Sequence, residues 1–170
     1  MNKYKTDFHN HSNLSRYARK EMTVESMVRK FEEFGLEQAG ISDHLYPDGK
    51  ILERFTFVKH EIEKQRRSVD VYVGAEVDML YPGKLITDRE NLDIFDYILI
   101  ACSHYQLKDW VIPPLYFDYR TIAQSMFDFI MSATSFEYAD IIAHPFDVRN
   151  LKNYREDFEL EKAMEQFSDS

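Results

Sequence analysis

A single cysteine, Cys102, stands among the 170 residues, so no disulfide can form within the chain and a small, bridge-stapled secreted scaffold is excluded. Its apolar surroundings read it as an inert buried thiol. Glycine and proline are also sparse, five of each, too few for a linker or low-complexity tract. No repeat divides the sequence, and residues 1–170 are expected to form one domain. No apolar run approaches the roughly 18 residues of a membrane span, and Met1 to Lys20 is too polar for a secretory signal. These absences lead us to expect a cytoplasmic protein with no membrane partner. Positive charge is in deficit, 21 Lys and Arg against 30 Asp and Glu for a formal charge of −9. That argues against a broad nucleic-acid surface, yet it leaves room for an anionic substrate where bound cations set the local charge. Apolar material is plentiful: 44% hydrophobic and 15% aromatic residues suffice for a sizeable core at this length.

The first strand-like run, Tyr4 to His9, ends in Asp7-Phe8-His9-Asn10-His11. Residues two apart in an extended chain share a side, so His9 and His11 can approach one ion together. A polar, basic loop follows with Arg16, Arg19 and Lys20. Thr23 is a fitting N-cap for a helix whose apolar face is Met27, Val28, Phe31 and Phe34, stopped by Gly35. Gln38 to Asp43 reads as a short strand ending at His44, before a Pro47-Asp48-Gly49 turn. Ile51 to Arg67 is amphipathic, with Phe55, Val58 and Ile62 in a stripe and His60 off it, on the solvent side. Val69 to Val77 is β-rich and delivers Glu76, with Gly74 marking close packing. Asp96 to Cys102 is a nearly continuous apolar strand, of the kind buried on both faces, and it leads into Ser103-His104. Tyr105 to Asp118 has no period and reads either as a lid or as a loop packed over the helices. A helix over Tyr119 to Ala139 buries Ile122, Met126, Phe129, Ile130 and Ala133. Asp140 to Ala143 is a strand ending at His144-Pro145, and Arg155 to Phe167 reads as a last amphipathic helix.

Strands alternating with helices imply an α/β fold with a parallel sheet, whose right-handed crossovers bring the strand C-termini to one edge. His9, His11, His44, Glu76, His104 and His144 all stand at or just past those ends. Five of the six histidines thus converge on one mouth, and imidazoles with a carboxylate suit zinc, manganese or iron.

The ordered set Asp-Phe-His-Asn-His (7 to 11), Ile-Ser-Asp-His (41 to 44), Gly-Ala-Glu-Val (74 to 77), Ala-Cys-Ser-His (101 to 104) and Ile-Ala-His-Pro (142 to 145) resembles the PHP superfamily, the polymerase and histidinol phosphatase domains. The resemblance runs from Tyr4 to about Phe146. It implies a distorted (β/α)7 TIM-like barrel, with about five βα units present in this chain, and two or three divalent ions (Zn, Mn or Fe) at the strand C-termini. By the same resemblance His9 and His11 ligate one ion, Glu76 bridges it to a second completed by His104 and His144, and His44 ligates a third. Tyr17 occupies the position where members often carry a further histidine. The late Asp-X-His motif of the family is not reached by Ser170, so the resemblance leads us to expect a barrel lacking its C-terminal strands, with self-association through the incomplete edge. Asp7 and Asp43 either orient imidazoles or make ordinary turn hydrogen bonds.

The function this implies is hydrolysis of a small phosphomonoester, histidinol-phosphatase-like, by a metal-bound hydroxide. Arg16, Arg19 and Lys20 are placed to meet the substrate phosphate; the other reading of that cluster is a solvated loop. The alternatives are a nuclease or polymerase-associated phosphodiesterase, which the acidic balance disfavours, and a non-catalytic metal-binding module.

Overall fold

The computed structural model describes residues 5–104, 119–147 and 165. The expected lid at 105–118 and the expected C-terminal helix at 155–167 lie outside these residues, Glu165 excepted. In chain order the elements are β1 (Thr6–Asp7), α1 (Val24–Glu33), β2 (Gln38–His44), α2 (Ile51–Glu63), β3 (Asp70–Tyr81), β4 (Lys84–Leu85), β5 (Tyr97–Ala101), α3 (Tyr119–Thr134) and β6 (Ile141–Ala143). The hydrogen-bonded strand order is β1-β2-β3-β5-β6, with β4 paired to β3. β1 with β2, and β2 with β3, run parallel. The fold class is α/β, and this strand order with intervening helices is the connectivity of an incomplete TIM-like barrel. The chain divides into two compact units, Met1–Val77 with Thr87–Leu99, and Asp78–Ile86 with Ile100–Ser170.

In the first unit α1 begins where expected: the Thr23 hydroxyl accepts from the Ser26 N–H at 3.2 Å, satisfying one of the orphan donors of a helix start. It ends at Gly35, whose φ of +68° favours a residue without a Cβ. Val24, Met27, Val28 and Phe31 form its buried face and pack with Val58 and Ile62 of α2 on Ala39, Ile41 and Val73 of the sheet. Phe34 falls outside this face, 61% exposed, because it is the C-cap and the chain turns away at Gly35. His60 is exposed, as its position off the apolar stripe suggested.

Gly74 does mark close packing. A Cβ there would lie 2.3 Å from the Tyr97 ring, and one on Gly40 would lie 1.9 Å from the Tyr97 hydroxyl. Two glycines on adjacent strands thereby make the slot for one aromatic side chain. The Tyr97 hydroxyl donates to the Phe8 carbonyl at 2.8 Å, and burial pushes its pKa well above the ordinary phenol range, so it stays a neutral donor.

In the second unit, β3 continues beyond Val77 to Tyr81 and returns through Gly83, φ +85°, into the antiparallel β4. The Gly83 N–H donates to the Ser132 hydroxyl of α3 at 2.6 Å. Ile122, Ala123, Met126, Phe129 and Ala133 are the buried residues of α3, matching the expected stripe except Ile130, which is half-buried. Cys102 is fully buried and burial pushes its thiol up to about 11, in keeping with an inert core residue. Among the described residues no helix is long and apolar enough to cross a membrane.

Candidate metal centre

In parallel pairing the end of β2 meets the interior of β3, His44 directly opposite Glu76, and β3 runs five residues beyond that point to Tyr81 instead of ending near Val77 as the sequence suggested. The segment after β1 is held alongside β2: the Ser42 N–H donates to the Asn10 carbonyl at 2.8 Å, the Asn10 side-chain amide donates to the Gly40 carbonyl at 3.1 Å, and the Ser42 hydroxyl donates to the Phe8 carbonyl at 3.2 Å. These bonds keep residues 8–10 extended past the formal strand end, so alternation carries His9 and His11 to the same side.

The result is a convergence on one atom. Glu76 is 0% exposed, and its Oε2 lies 3.2 Å from His9 Nε2, 3.1 Å from His11 Nε2 and 3.3 Å from His44 Nδ1. The His11 and His44 rings stack at 4.6 Å, and the His9 ring stands edge-on to His11 at 5.1 Å. Two ligand atoms about 2.0–2.1 Å from one ion, at tetrahedral or octahedral angles, lie about 2.9–3.4 Å apart. The observed spacings fall in that range, and His11, His44 and Glu76 offer ligand atoms all within 4.8 Å of one another. Among the described residues the buried His11 Nδ1 has no hydrogen-bond partner, an orphaned polar atom beside the candidate ligands. The donor set of the His11, His44 and Glu76 group, two imidazoles and a carboxylate with His9 also against Glu76 Oε2, suits a divalent transition metal, so the residues fit the ion that the sequence motif suggests.

The chain belongs to the PHP domain family.

Its family model matches residues 7–169, which covers nearly all of the chain, and the family is one of metal-dependent phosphoesterases. A comparison with curated proteins found no match. In this PHP domain the aspartates beside the ligand motifs have visible tasks. Asp43 accepts from the Ser12 N–H at 2.7 Å and from its hydroxyl at 2.5 Å, which ties the loop just after His11 to the end of β2. Burial raises the Asp43 pKa and the Ser12 hydrogen bonds oppose that rise. Asp7 accepts from the His9 N–H at 3.3 Å. Both make the loop-fastening bonds of the second alternative raised by their sequence position.

The second unit holds its own imidazole pair. His104 and His144 lie with ring centroids 4.9 Å apart. Asp78, on β3 and buried, contacts His104 Nδ1 at 2.5 Å; an ionised carboxylate only accepts, so Nδ1 carries the proton and Nε2 the lone pair. Ser103 does the same for His144. Its hydroxyl donates to the His144 carbonyl at 3.0 Å, which leaves its oxygen to accept from the His144 Nδ1 at 2.9 Å, again giving Nε2 the lone pair. His144 has a φ of +29°, a left-handed conformation costing a non-glycine residue about 1–3 kcal/mol. Two bonds to its carbonyl, from Ser103 and from the Asp147 N–H at 3.0 Å, hold it there. Asp78 was missed from sequence, although its place two residues after Glu76 on one strand was the available signal.

Of the basic loop residues, Arg16 lies over the Tyr46 ring at 4.4 Å, while Arg19 and Lys20 are exposed. None of the three has an ion pair among the described residues. Tyr17, 75% exposed, presents its ring edge-on to His44 at 5.9 Å; it touches the candidate centre as an aromatic neighbour, which the expected histidine position anticipated only in place.

Proposed function

We propose that this PHP domain is a metal-dependent phosphomonoesterase acting on a small phosphorylated substrate, with histidinol phosphate the single substrate that its motifs favour. The observation that carries the reading is the meeting of His9, His11 and His44 on one buried oxygen of Glu76. A divalent ion bound there supplies Lewis-acid polarisation of a phosphoryl oxygen and lowers the pKa of water. The chain's residues do the rest. Glu76 supplies a fully buried carboxylate around which the imidazoles are arranged. Asp43, through Ser12, and Asp7, through the His9 backbone, fix the segment bearing His9 and His11. Asp78 and Ser103 engage Nδ1 of His104 and His144, so that each ring would offer Nε2 to a bound ion.

The surface charge supports a small substrate over a polynucleotide, since a net −9 repels an extended phosphate backbone. The test is phosphate release by the purified chain, loaded with manganese, zinc or iron, from a panel of small monoesters that includes histidinol phosphate, with labelled single-stranded DNA digested in parallel. Release from monoesters alone is the expected result. Cleavage of DNA without monoester turnover would replace the reading with a nuclease, and bound metal with neither activity would replace it with a metal-binding module.

A further inference from the structure

Tyr46 follows the candidate ligand His44 by two residues, and its ring centroid lies 6.4 Å from that imidazole. Two guanidinium groups use the same ring: Arg16 at 4.4 Å and Arg54 at 5.0 Å from its centroid. They differ in their charge partners. Arg54 donates twice to the Asp48 carboxylate, once at 3.1 Å through Nη1 and once through Nη2, so its charge is met and its fork occupied. Arg16 has no carboxylate partner among the described residues, yet it is held, because its own N–H donates to the Tyr46 hydroxyl at 3.0 Å while its side chain lies on the ring. A ring-held guanidinium loses less rotamer entropy on binding an anion than a free one. Among the described residues Arg19 and Lys20 have no such support.

We propose that Arg16 is the phosphate clamp of this site and that Tyr46 is its positioning residue, with Arg54 locked to Asp48 and not available as a second clamp. The ligand this predicts is a phosphomonoester dianion or inorganic phosphate, met by the forked donors that suit planar contact with two phosphoryl oxygens. The proposal rests on the phosphoesterase reading for its physiological meaning, and its test separates the two.

Inorganic phosphate is titrated calorimetrically into the manganese-loaded full chain, and turnover of a small aryl phosphate is measured alongside, for wild type, Arg16→Ala, Tyr46→Leu, Tyr46→Phe and, as control, Lys59→Ala, which removes a cation lying over Phe55. Circular dichroism confirms the fold of each. Arg16→Ala is expected to raise the phosphate Kd and the KM together, roughly 10- to 100-fold, the range for loss of charge-assisted hydrogen bonds, with kcat unchanged. Tyr46→Leu is expected to raise both by about 2- to 5-fold, as for an exposed cation–π contact. Tyr46→Phe keeps the ring and restores most of that loss, and Lys59→Ala matches wild type. Phosphate bound equally by wild type, Arg16→Ala and Tyr46→Leu would overturn the proposal, as would a wild type that binds no phosphate or variants that lower kcat alone. Wild type that binds phosphate through Arg16 but hydrolyses no monoester keeps the clamp and removes the phosphatase. Hydrolysis with an unchanged KM in Arg16→Ala removes the clamp and keeps the phosphatase.

Discussion

Replacing Asp78 by Asn tests whether this chain's imidazoles are set for metal by their outer partners. Asp78 Oδ1 stands 2.5 Å from His104 Nδ1, and both residues are buried. The contact is therefore a charge-assisted hydrogen bond largely out of water, the kind that contributes roughly 1.5–3 kcal/mol. As an acceptor-only group the carboxylate admits one tautomer of His104; asparagine, of nearly equal size, can turn its amide N–H toward Nδ1 and place the ring proton on Nε2, the nitrogen that would face the ion. Loss of such a partner typically costs 10- to 100-fold in metal affinity, equivalent to about 1.4–2.7 kcal/mol. The assay is calorimetric titration of the metal-free protein with zinc or manganese, wild type against Asp78→Asn, with thermal melts of both in chelator to separate affinity from folding. Asp78→Asn is expected to weaken binding by that factor while its metal-free melt moves little. Asp78→Ala, which strands the buried Nδ1, is expected to lose stability as well, by about 1–3 kcal/mol. Unaltered titrations for Asp78→Asn would refute the tautomer reasoning.

Gly74→Ala drives a Cβ into the Tyr97 ring and is expected to cost about 1–3 kcal/mol; in a Tyr97→Ala background the same change should be neutral or stabilising, and additive denaturant midpoints in the double-mutant cycle would contradict the packing account. Thr23→Ala removes the cap bond to Ser26 and should lower stability by about 1 kcal/mol, read from urea melts. Cys102, with its thiol raised to about 11, should resist a thiol reagent at neutral pH until the chain is unfolded. Because its folded pKa lies above the unfolded value, the stabilisation is present below about pH 8.5 and is lost as pH rises toward 11, so a stability that climbs in urea melts across that window would argue against burial.

Much of the site was legible before any coordinates. A histidine at the end of a parallel strand is a pattern that topology converts into proximity, and His44 opposite Glu76 expresses it, although Glu76 itself lies inside β3 and not at its end. Gly74 was readable because a glycine inside a β-rich run implies a close neighbour, but the neighbour, Tyr97, comes from 23 positions away in sequence and carried no local mark. Asp78 lies just past the strand expected to end at Val77 and so went unmarked in the sequence. The structure keeps it buried by pairing it with His104, a contact visible only once the strands are assembled. Phe34 misled for the opposite reason: it continues the helical apolar stripe in sequence, yet the helix has ended and the ring is exposed. Tyr46, in a turn beside a proline, gave no sign of holding Arg16 until both ends of the contact were in space.

The central claim is that the group of His11, His44 and Glu76, with His9 also against the Glu76 carboxylate, is a divalent-metal site. Metal content and affinity of wild type against Glu76→Gln, each confirmed folded by circular dichroism, test it most directly. Wild type is expected to retain tightly bound metal through dialysis, and Glu76→Gln to lose one ion, with affinity at that site falling further than the 10- to 100-fold typical of outer-partner mutations. Equal stoichiometry and equal affinity in the two proteins would contradict the account.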